Sequence, residues 1–176
     1  KETLDVFVEL VGSYGSSKTL LQLDTVKFLI HNLDGSNFAF LGYDNDNKHR
    51  VTFYSALARL VFSSSEDLDN LFDSFMAPNL QIISQLSTVD VREPSARIAC
   101  IGLLRDLRGM AMSSYNKRTY TLLFEALFPS AFPLLLSIAE NLSDDPIVMT
   151  ALFKFMQEFV QNRSQRIVFE QSSANG

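Results

Sequence analysis

The string that most suggests chemistry is Gly12-Ser-Tyr-Gly-Ser-Ser-Lys18-Thr19. It follows the phosphate-binding loop Gly-x-x-x-x-Gly-Lys-Thr at every defined position but one, where Ser17 stands for the second glycine. That glycine lets backbone N–H groups close around phosphate, and a side chain there obstructs the approach. Such a site also needs a parallel sheet and a strand ending in a magnesium-binding Asp. Val6-Phe7-Val8 can be read as a strand before the loop, but no segment supplies the rest. The preferred reading is an interhelix turn whose Lys18 starts the next helix. Nucleotide binding through Gly12–Thr19 stays as the most distant alternative.

Other candidates are weaker. Asp44-Asn-Asp46-Asn-Lys48-His49 opens like a calcium loop, yet Lys48 takes the third ligand position, His49 the glycine and Ser55 the closing acid. It reads as a solvated loop. With His31 and His49 the only histidines, no His/Cys zinc set can be assembled. Cys100 lies in the apolar run Ile98-Ala99-Cys100-Ile101, which predicts a buried, inert thiol. The sequence therefore points to no catalytic residue, metal or cofactor, and to a protein that is not an enzyme.

Two polar clusters remain. Arg105-Asp106-Leu107-Arg108-Gly109 sits in an apolar helix with Arg97 two turns earlier, and Asn162-Arg163-Ser164-Gln165-Arg166 follows another. Arg97, Arg105, Asp106, Arg108, Asn162, Arg163 and Arg166 are expected either to pair between successive repeats as a polar ladder or to form a binding surface for an acidic partner. Gly109 inside a helix costs about 1 kcal/mol against Ala, so close helix approach is its expected reason.

The elements that must carry these residues are helical. Leu4, Phe7, Val8 and Val11 follow the i, i+3, i+4, i+7 spacing of one helix face. Further helices are predicted over 17–32, 50–62, 65–86 with a kink at Pro78, 93–114, 117–141 bent at Pro129 and Pro133, and 145–162. Residues 33–49 read as a loop anchored by Phe38, Phe40 and Leu41. Pair starts near Thr3, Arg50, Glu93 and Asp145 are spaced by 47, 43 and 52 residues, close to the HEAT/armadillo period of roughly 40–47. The expected fold is all-α, a right-handed superhelix of antiparallel helix pairs with three to four repeats. The expected pairs occupy 1–32, 50–88, 93–142 and an incomplete 145–176.

Composition agrees. Of 176 residues 47% are apolar and 20% charged, which marks a packed chain. The net charge of −5 disfavours a nucleic-acid binder. No run reaches the length of a membrane-spanning helix. Lys1-Glu2-Thr3-Leu4 carries no initiator Met, so the chain is expected to be a piece of a longer protein. Its cut repeat ends would expose apolar faces open to self-association.

Several strings carry a resemblance. They are Arg50-Val-Thr-Phe-Tyr-Ser-Ala-Leu-Ala-Arg-Leu60, Gly102-Leu-Leu-Arg-Asp-Leu-Arg-Gly-Met-Ala111, Leu123-Phe-Glu-Ala-Leu-Phe-Pro-Ser130 and Gln161-Asn-Arg-Ser-Gln-Arg166, with Thr25-Val-Lys-Phe28 and Phe38-Ala-Phe-Leu-Gly42. In order along the chain, they resemble the central part of nuclear export receptors of the exportin seven type, in the importin-beta (karyopherin-beta) superfamily. The resemblance implies a HEAT-repeat scaffold that binds Ran-GTP and protein cargo, meets nuclear pore proteins and shuttles between nucleus and cytoplasm. It also implies that the main Ran contacts lie in an arch N-terminal to this stretch, so no Ran-binding residue is assigned. A generic helical-repeat interaction scaffold is the alternative.

Overall fold

A computed structural model describes residues 2–12, 16–33, 41, 49–64 and 67–161. Nine helices and no strand occur among the described residues. They are α1 (Glu2–Gly12), α2 (Ser16–Gln22), α3 (Asp24–His31), α4 (His49–Ser63), α5 (Leu68–Leu86), α6 (Pro94–Ser113), α7 (Lys117–Leu127), α8 (Ala131–Asn141) and α9 (Pro146–Val160).

Starts and stops follow local chemistry. Pro94 and Pro146 open α6 and α9 in the first turn, where a missing N–H is harmless. Asp145 caps α9 by accepting from the N–H of Ile147 at 3.0 Å and of Val148 at 3.2 Å. Asn116 caps α7 by accepting from the Thr119 N–H at 3.0 Å.

Three expectations are corrected. The helix predicted over 17–32 breaks at Leu23, whose backbone is extended. The break sends α2 against α4 while α3 packs on α5. The helix predicted over 117–141 divides at 128–130, with a 68° bend and a cis Phe128–Pro129 peptide. Pro133 does not interrupt it, because it falls in the first turn of α8, where proline fits. The helix predicted from Ser65 starts at Leu68 and runs on through Pro78 to Leu86.

The helices stack in two rows. In one, α1 and α2 pack on α4, α4 on α6, and α6 on α9. In the other, α3 packs on α5, and α5 on α7 and α8. Contacts of α5 with α4 and α6, and of α8 with α9, join the rows. This is an all-α helical-repeat arrangement, each helix pair leaning on the next.

The centre of the stack explains two sequence oddities. α4 and α6 are flanked on both sides of their row and also covered by α5, so their burial runs around the helix and not along one stripe. At their crossing, a Cβ on Gly109 would lie 2.6 Å from the Val51 carbonyl oxygen and 2.9 Å from both the Ser55 nitrogen and the Tyr54 Cβ. The close approach expected at this glycine is present. Beside it the buried Ser113 hydroxyl donates to the Ser55 carbonyl at 2.9 Å and meets the Ser55 hydroxyl at 2.9 Å.

The phenylalanines fill the space between α7, α8 and α9. Phe124 stacks on Phe128 and Phe159, and Phe132 meets both edge-on. The buried Tyr120 hydroxyl donates to the Phe159 carbonyl at 2.7 Å. No single helix among the described residues is long and apolar enough to cross a membrane.

Cys100 is fully buried in α6, and that burial pushes its thiol up to about 12. At pH 8 only about one thiol in 10⁴ is then ionised. We expect no labelling by a thiol-reactive reagent in the folded chain within minutes, and complete labelling in 6 M guanidinium. Rapid labelling without denaturant would contradict this burial.

Candidate functional site

The phosphate-loop reading fails on its scaffold. Val6, Phe7, Val8 and Gly12 lie in α1, where a strand would be needed, and Lys18 and Thr19 lie in α2. Residues 13–15 fall outside the described ones, as do the calcium-like positions 44–48. Among the described residues no group of His, Cys, Asp or Glu could hold a metal ion. Of the loop anchors, Leu41 is buried, while Phe38 and Phe40 lie outside the described residues.

The structure divides the Arg105–Gly109 cluster between two surroundings. Asp106 is fully buried and faces Arg50 of α4, itself 3% exposed. The Arg50 Nε donates to Asp106 Oδ1 at 2.8 Å and Nη2 to Oδ2 at 2.5 Å, a bidentate fork between the two central helices. The Arg50 Nη1 also donates to the Leu41 carbonyl at 2.6 Å, tying that residue to α4. Burial pushes the Asp106 carboxyl up to about 7, against the charge and hydrogen bonds of Arg50, which pull it down.

Arg97 and Arg108 join α6 to the α9 region. The Arg97 Nε donates to the Asp145 carboxylate, the same group that caps α9. Arg108 reaches Glu158 of α9 at 3.8 Å, too long for a hydrogen bond. Arg105 is half-buried on the same helix. Asn162, Arg163 and Arg166 lie outside the described residues.

Two ties thus link α4 to α6 to α9 in series: Arg50 with Asp106, and Arg97 with Asp145. Arg50 was missed as a partner in the sequence. Its signal was there, because it stands on the spacing of Tyr54, Leu57 and Val61, a lone cation on an apolar stripe.

The Arg97 hydrogen bond holds the Asp145 carboxyl below the usual carboxylate range against the upward pull of burial, with the N–H groups of Val148 and Ile147 adding lesser downward pulls. A depressed acid stabilises the fold above its unfolded value and loses that contribution as pH falls through its folded value. Asp145→Ala should therefore cost about 1 kcal/mol at pH 7, and the gap to the parent chain should narrow at pH 3. Thermal melts at the two pH values check this, and an equal gap at both would contradict it.

A groove runs along the α6–α9 seam beside these residues. It encloses about 420 Å³ and is lined by Leu104, Arg105 and Arg108 of α6, Ile147, Ala151 and Lys154 of α9, and their neighbours.

Residues 1–49 match the family described as exportin-7-like, TPR domain. The chain is 36% identical to Ran-binding protein 17 of Homo sapiens over 99% of its length, covering 17% of that protein. It is 34% identical to Exportin-7-B of Xenopus laevis over 99% of its length, covering 17% of it. It is 34% identical to Exportin-7 of Dictyostelium discoideum over 100% of its length, covering 18% of it. The chain thus spans less than a fifth of the length of these curated relatives. No solved structure matches it.

Proposed function

We propose, from the premise that this chain is a segment of exportin-7-like sequence, that it serves as part of a Ran-dependent nuclear export receptor. In this reading it is a non-catalytic scaffold, and the whole receptor binds protein cargo together with Ran-GTP and passes through nuclear pores. The observation that carries the reading is sequence identity of 34–36% along essentially the whole chain. The fold supports it, since a stack of helix pairs offers long surfaces and little else.

The segment's contribution is mechanical coupling as much as contact. Helices stacked in rows can flex by small shifts between neighbours, which lets a ligand at one place change affinity at another. The Arg50–Asp106 and Arg97–Asp145 ties limit how α4, α6 and α9 slide past one another. We assign Arg97 and Asp106 to this inter-helix role, while Arg105 and Arg108 line the groove on the seam. We group the helices as α1 to α3, α4 with α5, α6 to α8, and α9 at the end of the described residues. Val6, Leu10 and Phe28 at one end and Leu136, Phe153 and Val160 at the other expose apolar surface. Adjoining repeats of the longer receptor would cover these faces.

The test is traffic. A fluorescent full-length receptor containing this segment should equilibrate across the nuclear envelope, so that continuous bleaching of the cytoplasm also drains the nuclear signal. A receptor whose nuclear signal persists under that bleaching would contradict the reading.

A further inference from the structure

We infer that the groove on the α6–α9 seam is a docking site for an acidic, partly apolar peptide segment of a protein partner. Arg105, Arg108 and Lys154 line it and no carboxylate does, although the chain as a whole carries −5. Such local reversal of sign is a specific feature of the surface, since the groove's field opposes that of the whole molecule.

The nearby acids are engaged at its margins. Asp106 is turned inward onto Arg50, and Asp145 holds Arg97 while capping α9. Glu158, also engaged, stands 3.8 Å from Arg108. The Arg108 Nε is buried without a hydrogen-bond partner. A buried donor left unpaired is costly, and a carboxylate from outside would satisfy it. A planar guanidinium takes a carboxylate through two parallel hydrogen bonds.

The floor decides between acidic ligands. Pro146 and Ile147, both exposed, offer apolar contact beside the cations. A phosphate polymer has no use for such a floor, whereas a peptide that alternates acidic and apolar side chains meets both. The volume of about 420 Å³ accommodates a few side chains and not a folded domain. This deepens the receptor reading by naming the partner's chemistry, and it rests on that reading only in taking the ligand to be a protein.

The probe is a fluorescein-labelled peptide of sequence Leu-Asp-Glu-Leu-Glu-Glu, titrated into the 176-residue chain at low salt without Ran. Saturable binding is expected, weakened by added salt, with amide shifts in the NMR spectrum confined to α6 and α9. The Lys154→Glu variant changes an exposed residue and should keep the parent's melting temperature. Combined with Arg105→Glu it should weaken binding roughly tenfold. A peptide with Lys at every acidic position should not bind. Equal binding by the double variant, equal binding of the lysine peptide, shifts elsewhere, or RNA competing as well as the acidic peptide would each overturn the inference. Because Ran is absent, these outcomes leave the receptor reading untouched.

Discussion

Arg50→Ala should destabilise the chain by about 3–5 kcal/mol at pH 8, because it strands a fully buried carboxylate. Asp106 already has its carboxyl raised to about 7 by burial, with Arg50 supplying the main opposing pull. Without Arg50 burial acts almost alone and the carboxyl rises further. The sign of the pH effect follows. An acid whose folded value is raised contributes stability that is fully present below its unfolded value near 4 and lost as pH rises through the folded value. The parent chain loses this contribution between about pH 4 and 7, and in the variant the loss continues to higher pH. The variant's deficit should thus be smaller at pH 5 than at pH 8. Replacing both partners, as Arg50→Met with Asp106→Leu, should recover most of the loss, since an apolar pair of similar volume removes the buried charges together. Urea unfolding of the parent chain and the two variants checks this. A deficit below about 1 kcal/mol for Arg50→Ala would contradict a buried, bidentate pair.

Filling the α4–α6 crossing should be nearly as damaging. At Gly109 an added Cβ meets backbone atoms of Val51 and Ser55 and the Cβ of Tyr54, all at 2.9 Å or less. None is the far end of a flexible side chain, so the helices themselves must separate. Gly109→Ala should cost about 2 kcal/mol despite alanine's better helix propensity, and Gly109→Val about 3 kcal/mol or more. Separation of the crossing would also stretch the Ser113–Ser55 hydrogen bonds. Slower hydrogen exchange at Ser55 than at the helix ends should disappear in both variants. A stability gain in Gly109→Ala would mean the crossing is looser than described.

The sequence made the architecture readable because each repeat announces itself. Pro94 and Pro146 mark first turns, and apolar spacing at 3.6 residues per turn marks what lies between. Leu23 carried no such mark. It is an ordinary helix former, and the chain breaks there because α2 and α3 answer to different rows. Pro133 misled for the opposite reason, since a proline is disruptive or harmless according to its distance from the helix start. In the polar cluster, composition gave the residues but not their destinations. Asp106 and Arg108 are two positions apart and so point to different sides of one helix, the first into the core and the second onto the seam. Which side was which depended on where α4 and α9 dock, and that is a property of the stack.

The most direct test of the receptor reading is the equilibrium binding of Ran to the full-length receptor that contains this segment, measured with Ran loaded with GTP and with GDP. A transport receptor of this kind works by nucleotide-dependent difference in affinity, so the GTP form should bind at least about a hundredfold more tightly. Equal affinity for the two forms would contradict the account.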